Sequence, residues 1–259
     1  MIVDLHNHTT LCNHAEGTID AYILKAIKNK TRIYGFSEHA PMNFDEKYRI
    51  GFDQMRIYEN LILDAKEKYK DKIEILLGYE VDYLKGHVDQ RVLDAKVDYL
   101  IGSVHFIDKW GFDNPEFIGK YEEKDIDEIW QKYFDTVEEM AQSKLFDIVG
   151  HLDLIKVFKF LPNKPVLSFA KKALLAIKEA DMVIELNAAG YRKPIAEAYP
   201  CEEILTYMYE LRIPITFGSD AHAPEQVGLN SQKLIDLARK VGYKECVVFR
   251  KREKEYLPF

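Results

Sequence analysis

The chain has 259 residues, of which 47% are hydrophobic, enough to bury the core of one barrel-sized domain covering residues 1–259. Its formal net charge of −7 excludes a general basic surface for nucleic acid, so an anionic ligand would need metal ions or a few local cations. The three cysteines, Cys12, Cys201 and Cys246, are odd in number and form no CxxC pair, which argues against a disulfide framework and favours a reducing cytoplasm.

The first residues of the chain form a short apolar segment. Residues 1–6 contain no basic stretch followed by an apolar one, so we predict no signal peptide. No apolar run approaches the roughly 20 residues that a membrane-spanning helix needs. We therefore expect a soluble, cytoplasmic protein that acts without a membrane.

From this first segment onward, short apolar segments alternate with helical patterns. The segments predicted to be strands are Ile2–Leu5, Ile33–Phe36, Ile73–Gly78, Tyr99–Ser103, Phe146–Val149, Met182–Leu186 and Ile213–Phe217. The clearest helical stripes are Met55, Tyr58, Leu61, Ile62, Ala65 and Tyr69, then Ile126, Ile129, Trp130, Tyr133, Val137 and Met140. The polar region 106–123 is predicted to be an extended loop. Repeated strand–helix units predict an α/β fold with a parallel sheet, and the length favours a barrel.

Seven of the eight histidines lie at, or just beyond, the C-terminal end of a predicted strand. These seven are His6, His8, His14, His39, His105, His151 and His222. The carboxylates Glu80 and Asp220 hold equivalent positions, and in a parallel barrel such strand ends converge on the face where active sites are assembled. A single histidine at a strand end is more often structural, but seven at equivalent places favour one functional cluster. His87 lies in a polar segment, and we predict that it lies on the surface.

The spacing within this cluster indicates metal binding. In an extended strand, residues two apart point the same way, so His6 and His8 can hold one cation, as can Asp220 and His222. Imidazole suits zinc, iron and manganese, and a carboxylate such as Glu80 can bridge two of these ions. The cluster offers more ligands than one metal needs, so the pattern implies two or three metals.

These motifs and their order resemble the polymerase-and-histidinol-phosphatase (PHP) superfamily, and within it the stand-alone histidinol-phosphate phosphatases. The resemblance is carried by His14 and by Asp4-Leu5-His6-Asn7-His8-Thr9, Ser37-Glu38-His39, Gly78-Tyr79-Glu80-Val81-Asp82-Tyr83, Gly102-Ser103-Val104-His105, Gly150-His151 and Gly218-Ser219-Asp220-Ala221-His222. It spans nearly the whole chain. It implies a distorted seven-stranded (β/α)7 TIM-like barrel, which agrees with the seven predicted strands.

The resemblance also implies an assignment of ligands to three divalent transition metals, zinc, iron or manganese. The first metal would be held by His6, His8, Glu80 and Asp220. The second would be held by Glu80, His105 and His151, and the third by His14, His39 and His222. Of these residues, we expect Glu80, Asp220 and His222 to take a direct part in catalysis. No ligand position of the family pattern is missing from this chain.

Three residues are candidates for binding the substrate phosphate. Arg192 follows the sixth predicted strand, its forked guanidinium suits bidentate phosphate binding, and the family has a similar arginine in this region. A solvated loop arginine is the alternative. Ser103 and Lys156 are weaker candidates.

The resemblance implies hydrolysis of L-histidinol phosphate to L-histidinol and phosphate, a reaction of histidine biosynthesis. Metal ions would activate water as a bridging hydroxide and neutralise the phosphoryl oxygens.

The first alternative function is that of a phosphoesterase of the same superfamily that acts on nucleotides or on another small phosphate monoester. An amidohydrolase also begins with His-x-His but commonly uses a carbamylated lysine where this chain has Glu80. A metal-storing or metal-sensing protein would need closed coordination sites. The oligomeric state is left open.

Overall fold

A computed structural model describes residues 1–259 and contains eleven β-strands. The strands are β1 (Val3–Asp4), β2 (Ile33–His39), β3 (Glu74–Asp82), β4 (Tyr99–Ser103), β5 (Phe106–Ile107), β6 (Trp110–Gly111), β7 (Ile148–Val149), β8 (Val183–Asn187), β9 (Ile215–Gly218), β10 (Glu245–Arg250) and β11 (Glu253–Pro258). Seven of them pair side by side in the order β1-β2-β3-β4-β7-β8-β9, and every pairing in this sheet is parallel. The predicted α/β fold and the seven predicted strands are confirmed.

The two ends of this sheet meet, so that it is nearly closed into a barrel. The amide of Leu5, just after β1, donates to the carbonyl of Phe217 in β9 at 2.9 Å. Beyond the strand ends, Asn7 and Ala221 form a parallel bridge, and the amide of His8 donates to the carbonyl of Ala221 at 3.0 Å. The segments that follow the first and last strands of the barrel are therefore held side by side.

Helices connect the strands. They are α1 (Ile19–Lys28), α2 (Met55–Tyr69), α3 (Gln90–Leu93), α4 (Ile126–Ser143), α5 (Leu167–Glu179), α6 (Glu202–Glu210) and α7 (Ser231–Val241). None of them combines the length and the apolar composition that a membrane span requires. The barrel interior and the inner helix faces form one cluster of 73 buried hydrophobic residues.

The two helical stripes show how the sequence specifies these helices. In α4 the carboxylate of Asp125 accepts from the amides of Asp127 and Glu128, which caps the helix start, and the predicted stripe is buried from Ile129 to Met140. In α2 the prediction was wrong at one position, because Leu61 is 40% exposed. The buried face of α2 consists of Tyr58, Ile62, Ala65 and Tyr69. Leu61 lies one position before Ile62 and is rotated toward solvent by the 3.6-residue period.

Three regions differ from the expectation. The predicted loop at 106–123 contains the hairpin β5–β6 and a 3-10 helix at Pro115–Tyr121. The strand β3 continues past its predicted end at Gly78 as far as Asp82, so Glu80 lies within the strand. At the end of the chain, β10 and β11 form an antiparallel hairpin that the sequence patterns did not predict.

Candidate metal centre

Glu80 lies at the middle of the histidine cluster, with its two carboxylate oxygens facing different imidazoles. Its Oε2 atom is 3.3 Å from His6 Nε2 and 3.5 Å from His8 Nε2. Its Oε1 atom is 2.8 Å from His151 Nε2 and 3.7 Å from His105 Nε2. Because β1, β2, β3, β4 and β7 are successive parallel neighbours, the carboxyl ends of β1, β3, β4 and β7 place these side chains at one edge of the barrel. The geometry suits a carboxylate shared between two cations.

Asp220, which follows the last strand of the barrel, faces the imidazoles of His6 and His8, which follow the first strand. Its Oδ1 atom is 3.4 Å from His8 Nε2, 3.9 Å from His6 Nε2 and 3.5 Å from His222 Nδ1. The amide of Asp220 donates to the carbonyl of His6 at 2.7 Å, which ties the two ligand-bearing segments together. Asp220 and the two histidines after β1 therefore share one small volume.

The remaining histidines form a third group at the outer side of the cluster. The rings of His14 and His222 have centroids 4.6 Å apart, and those of His14 and His39 are 5.2 Å apart. The candidate ligand atoms of His14, His39 and His222 all lie within 4.8 Å of one another. The same is true of His6, His8 and Glu80, and of Glu80, His105 and His151. The structure thus brings together all nine side chains that the sequence marked as metal ligands.

Several buried polar atoms at the centre of this cluster have no hydrogen-bond partner. They are Nε2 of His6, Nε2 of His8, Nε2 of His222 and Oε2 of Glu80. Leaving such atoms unpaired away from water is costly, and a cation among them would remove that cost. The donor set of imidazole nitrogens and carboxylate oxygens is the one that zinc, iron and manganese accept. The residues present fit a multinuclear metal centre.

At three of the candidate ligands, the charge state at neutral pH is already the one that metal binding requires. Burial alone would raise the pKa of Glu80, but the imidazoles of His6 and His39 hold it well below its usual value. Burial, together with the neighbouring His8, lowers the pKa of His39 to about 4, and burial also lowers the pKa of His222 well below its usual value. At neutral pH, Glu80 is therefore ionised while His39 and His222 are neutral, which are the forms that bind metals.

A second layer of carboxylates orients the imidazoles, and the sequence analysis did not identify it. His6 Nδ1 lies 2.9 and 3.0 Å from the two carboxylate oxygens of Glu185, and His105 Nδ1 lies 2.6 Å from Asp82 Oδ1. In each case the hydrogen bond at Nδ1 leaves Nε2 facing the centre of the cluster. Such carboxylate–histidine pairs set the tautomer and increase the basicity of a metal-binding imidazole.

Glu38 is the third carboxylate of this layer. It lies 3.3 Å from His8 Nδ1 and accepts a hydrogen bond from the amide of Thr9 at 2.9 Å. The sequence contained a local signal for two of these three carboxylates. Glu38 directly precedes the candidate ligand His39, and Asp82 points the same way as Glu80 along β3. No local signal marked Glu185.

A cavity of about 770 Å³ opens over the cluster, and Arg192 forms part of its wall. The Nη2 atom of Arg192 donates to the carbonyls of Ser219 at 2.9 Å and Asp220 at 2.8 Å. Its Nη1 atom is buried and has no partner. One arm of the guanidinium is thus anchored on the backbone next to a candidate ligand, and the other has no hydrogen-bond partner within the protein.

Ser103, Lys156 and His87 lie outside this cavity. Ser103 is fully buried at the end of β4. Lys156 is 2% exposed, and its ammonium group lies 3.0 Å from Asp153 and donates to the carbonyl of Ala198 at 2.8 Å. The charge of Lys156 is already paired in the interior, and Ser103 is buried away from the cavity wall, so the structure brings neither residue to the cavity. Their part in phosphate binding stays a prediction.

Comparisons with known proteins agree with this architecture. The family model of the PHP domain matches residues 4–189. A probable histidinol-phosphatase of Deinococcus radiodurans is 37% identical over 259 residues, covering 98% of each chain. The histidinol-phosphatase of Bacillus subtilis is 28% identical and covers 87% of this chain and 95% of its own.

Two solved structures share the fold. The histidinol phosphate phosphatase of Lactococcus lactis, complexed with zinc, L-histidinol and phosphate, superposes with a TM-score of 0.83 at 23% identity and covers 98% of each chain. A histidinol phosphatase structure from Listeria monocytogenes gives a TM-score of 0.78 at 24% identity, covering 89% of this chain and 99% of that one. With most of its length matched by the family model and a relative of 37% identity along nearly all of it, the chain belongs to the PHP domain family.

Proposed function

We propose that this protein is a metal-dependent phosphatase that hydrolyses L-histidinol phosphate to L-histidinol and phosphate, a reaction of histidine biosynthesis. The observation that carries the proposal is the position of Glu80 between two groups of imidazoles, beneath a cavity whose wall includes the guanidinium-bearing residue Arg192. The relatives from D. radiodurans and B. subtilis support the choice of substrate.

The nine clustered ligands support three metal sites. We assign His6, His8, Glu80 and Asp220 to the first, Glu80, His105 and His151 to the second, and His14, His39 and His222 to the third. When bound, the metals would neutralise charge on the phosphoryl oxygens and lower the pKa of water toward neutrality, which makes it a nucleophile. Zinc is supported by the L. lactis structure, and the donor set also suits iron and manganese.

The protein itself positions the candidate metal ligands and provides a cation for the phosphate. Glu80 and Asp220 face the cluster from two sides. His222 lies 3.5 Å from Asp220 and also belongs to the outer group of histidines. Arg192 binds a phosphoryl oxygen through Nη1, because Nη2 is occupied by the carbonyls of Ser219 and Asp220. This arrangement lets an acidic protein bind a phosphate ester without a basic surface.

A comparison of substrates tests the activity. With metal-reconstituted protein, kcat/KM for L-histidinol phosphate should exceed the values for AMP and glucose 6-phosphate by at least about tenfold, because only the proper leaving group uses the whole cavity. Equal or higher kcat/KM for a nucleotide would assign the protein to another phosphatase activity of the family.

Elemental analysis tests the number of metals. Gently purified protein should contain more than one transition-metal equivalent per chain and approach three after reconstitution. A preparation that reaches full activity with a single equivalent would contradict the assignment of three sites.

A further inference from the structure

Asp113 is a carboxylate of the cavity wall that the metal centre and the phosphate site do not use. It follows the hairpin β5–β6, directly after Phe112, and lines the same cavity as Glu80 and His105. Asp113 therefore shares a cavity with ligands of the proposed second metal site.

The backbone around Asp113 is held on both sides. The amide of Phe112 donates to the carbonyl of His105 at 3.2 Å, and the amide of Asn114 donates to the carbonyl of Gly111 at 3.4 Å. The side chain of Asn114 then caps the following 3-10 helix by accepting from the amide of Glu116 at 2.9 Å. The position of Asp113 relative to His105 is therefore set by the fold.

Asp113 also differs from the other carboxylates of the cavity in having no partner. Asp45 pairs with Arg49 at 3.6 Å, and Asp82 pairs with both Arg49 and His105. Glu80 and Asp220 face the histidine cluster, as described above. The carboxylate of Asp113 forms no ion pair and no hydrogen bond with another residue. Since a partly buried negative charge without a partner is costly, the position is suited to a cation that arrives with the substrate.

The proposed substrate has such a cation in a suitable place. Its ammonium group is separated from the ester oxygen by two carbon atoms, so it lies close to the phosphoryl group when that group is held at the metal centre. We propose that Asp113 binds the ammonium group of the substrate and thereby selects phosphate esters of 2-amino alcohols. This inference rests on the proposed phosphatase function and extends it to the choice of leaving group.

Two matched esters isolate this interaction. One is L-histidinol phosphate, and the other is 3-(imidazol-4-yl)propyl phosphate, in which hydrogen replaces the ammonium group. Values of kcat/KM for both esters are measured with the metal-loaded parent protein, with Asp113→Asn and with Asp108→Asn. Asp108 is the matched control, because it lies on the same hairpin with a side chain that is 76% exposed and points to Lys132.

The parent protein should prefer the amino ester. Asp113→Asn should lower the ratio of kcat/KM for the amino ester to that for the des-amino ester by about tenfold or more, as expected for loss of a hydrogen bond between charged groups. Asp108→Asn should retain the parent ratio. Metal content of all three proteins is measured alongside, and it should be the same.

Other results would overturn the inference. A parallel loss on both esters, or a loss of metal from Asp113→Asn, would make Asp113 a support of the metal centre. An unchanged ratio of kcat/KM in Asp113→Asn would show that Asp113 does not bind the ammonium group of the substrate. A parent protein that hydrolyses both esters equally well would contradict the role of Asp113 while leaving the phosphatase function in place. A parent protein that hydrolyses neither would contradict both.

Discussion

Glu185 faces the Nδ1 atom of His6 with both carboxylate oxygens, at 2.9 and 3.0 Å, although the two residues are 179 positions apart in the chain. Glu185 also accepts a hydrogen bond from the amide of His151 at 2.9 Å. One carboxylate on β8 therefore orients one candidate ligand of the first metal and positions the backbone of a ligand of the second.

Replacing this carboxylate should weaken metal binding. Glu185→Gln keeps the size of the side chain but removes its charge, and we expect metal affinity to fall by about 10- to 100-fold, as is usual for an outer-shell partner. Competition with a chromophoric chelator measures the affinity. Glu139→Gln, on the exposed face of α4, is the control and should bind metal like the parent. Unchanged affinity in Glu185→Gln would show that the hydrogen bond to His6 has no part in metal binding.

Metal uptake should release protons and strengthen as the pH rises. Burial alone would lower the pKa of His8, but Asp220 and Glu38 raise it to about 9. The pKa of His105 is likewise raised to about 10, because Asp82 outweighs the effect of burial. At neutral pH the metal-free protein therefore carries protons where the metals bind, and these protons compete with the metals.

The sign of the pH effect follows from this competition. Apparent metal affinity should increase between pH 7 and about 9, because fewer protons then need to be displaced from His8. Calorimetric titrations with zinc in buffers of different ionisation enthalpy measure the number of protons released. Release of no protons at neutral pH would contradict the charge states assigned to His8 and His105.

The contribution of His105 to the metal centre can be separated from general effects of losing a histidine. His105→Ala should lose metal from the second site and lower kcat by more than about 100-fold, because loss of a direct ligand should cost more than the roughly 10- to 100-fold typical of an outer-shell partner. His87→Ala should keep the metal content and a kcat within about twofold of the parent, because His87 lies outside the cavity and most such substitutions have small effects. Equal losses of metal and of kcat in both variants would contradict the assignment of His105 to the metal centre.

Arg192 offers a test that separates phosphate binding from metal binding. Arg192→Ala removes charge-assisted hydrogen bonds worth roughly 1.5–3 kcal/mol, which corresponds to about a 10- to 150-fold loss of kcat/KM. The loss should fall mainly on KM if the guanidinium binds ground state and transition state equally. Metal content should stay at the parent level.

The lysine variant provides the control for charge. Arg192→Lys should recover only part of the loss, because an ammonium group keeps the charge but cannot both hold the carbonyls of Ser219 and Asp220 and reach an anion. An unchanged kcat/KM in Arg192→Ala would show that Arg192 does not bind the phosphate.

The sequence by itself determined the type of fold and the candidate ligands. Strand and helix periods are local patterns, so they predicted the seven strands of the barrel and the buried stripe of α4. The candidate ligands were visible because parallel strands end on one face, and because histidines two residues apart, such as His6 and His8, point the same way. This local information placed nine side chains in one cluster without showing any distance between them.

Only the tertiary structure decided which residues surround that cluster. Glu185 lies against His6 because the barrel closes between its first and last strands, and no local pattern encodes a contact across that closure. Lys156, a weaker candidate for phosphate binding, is buried in the segment after β7 with its ammonium group 3.0 Å from Asp153. Asp113 reaches the cavity through a hairpin that composition predicted to be a loop. Each of these outcomes depends on packing between distant segments, which residue type and spacing along the chain do not specify.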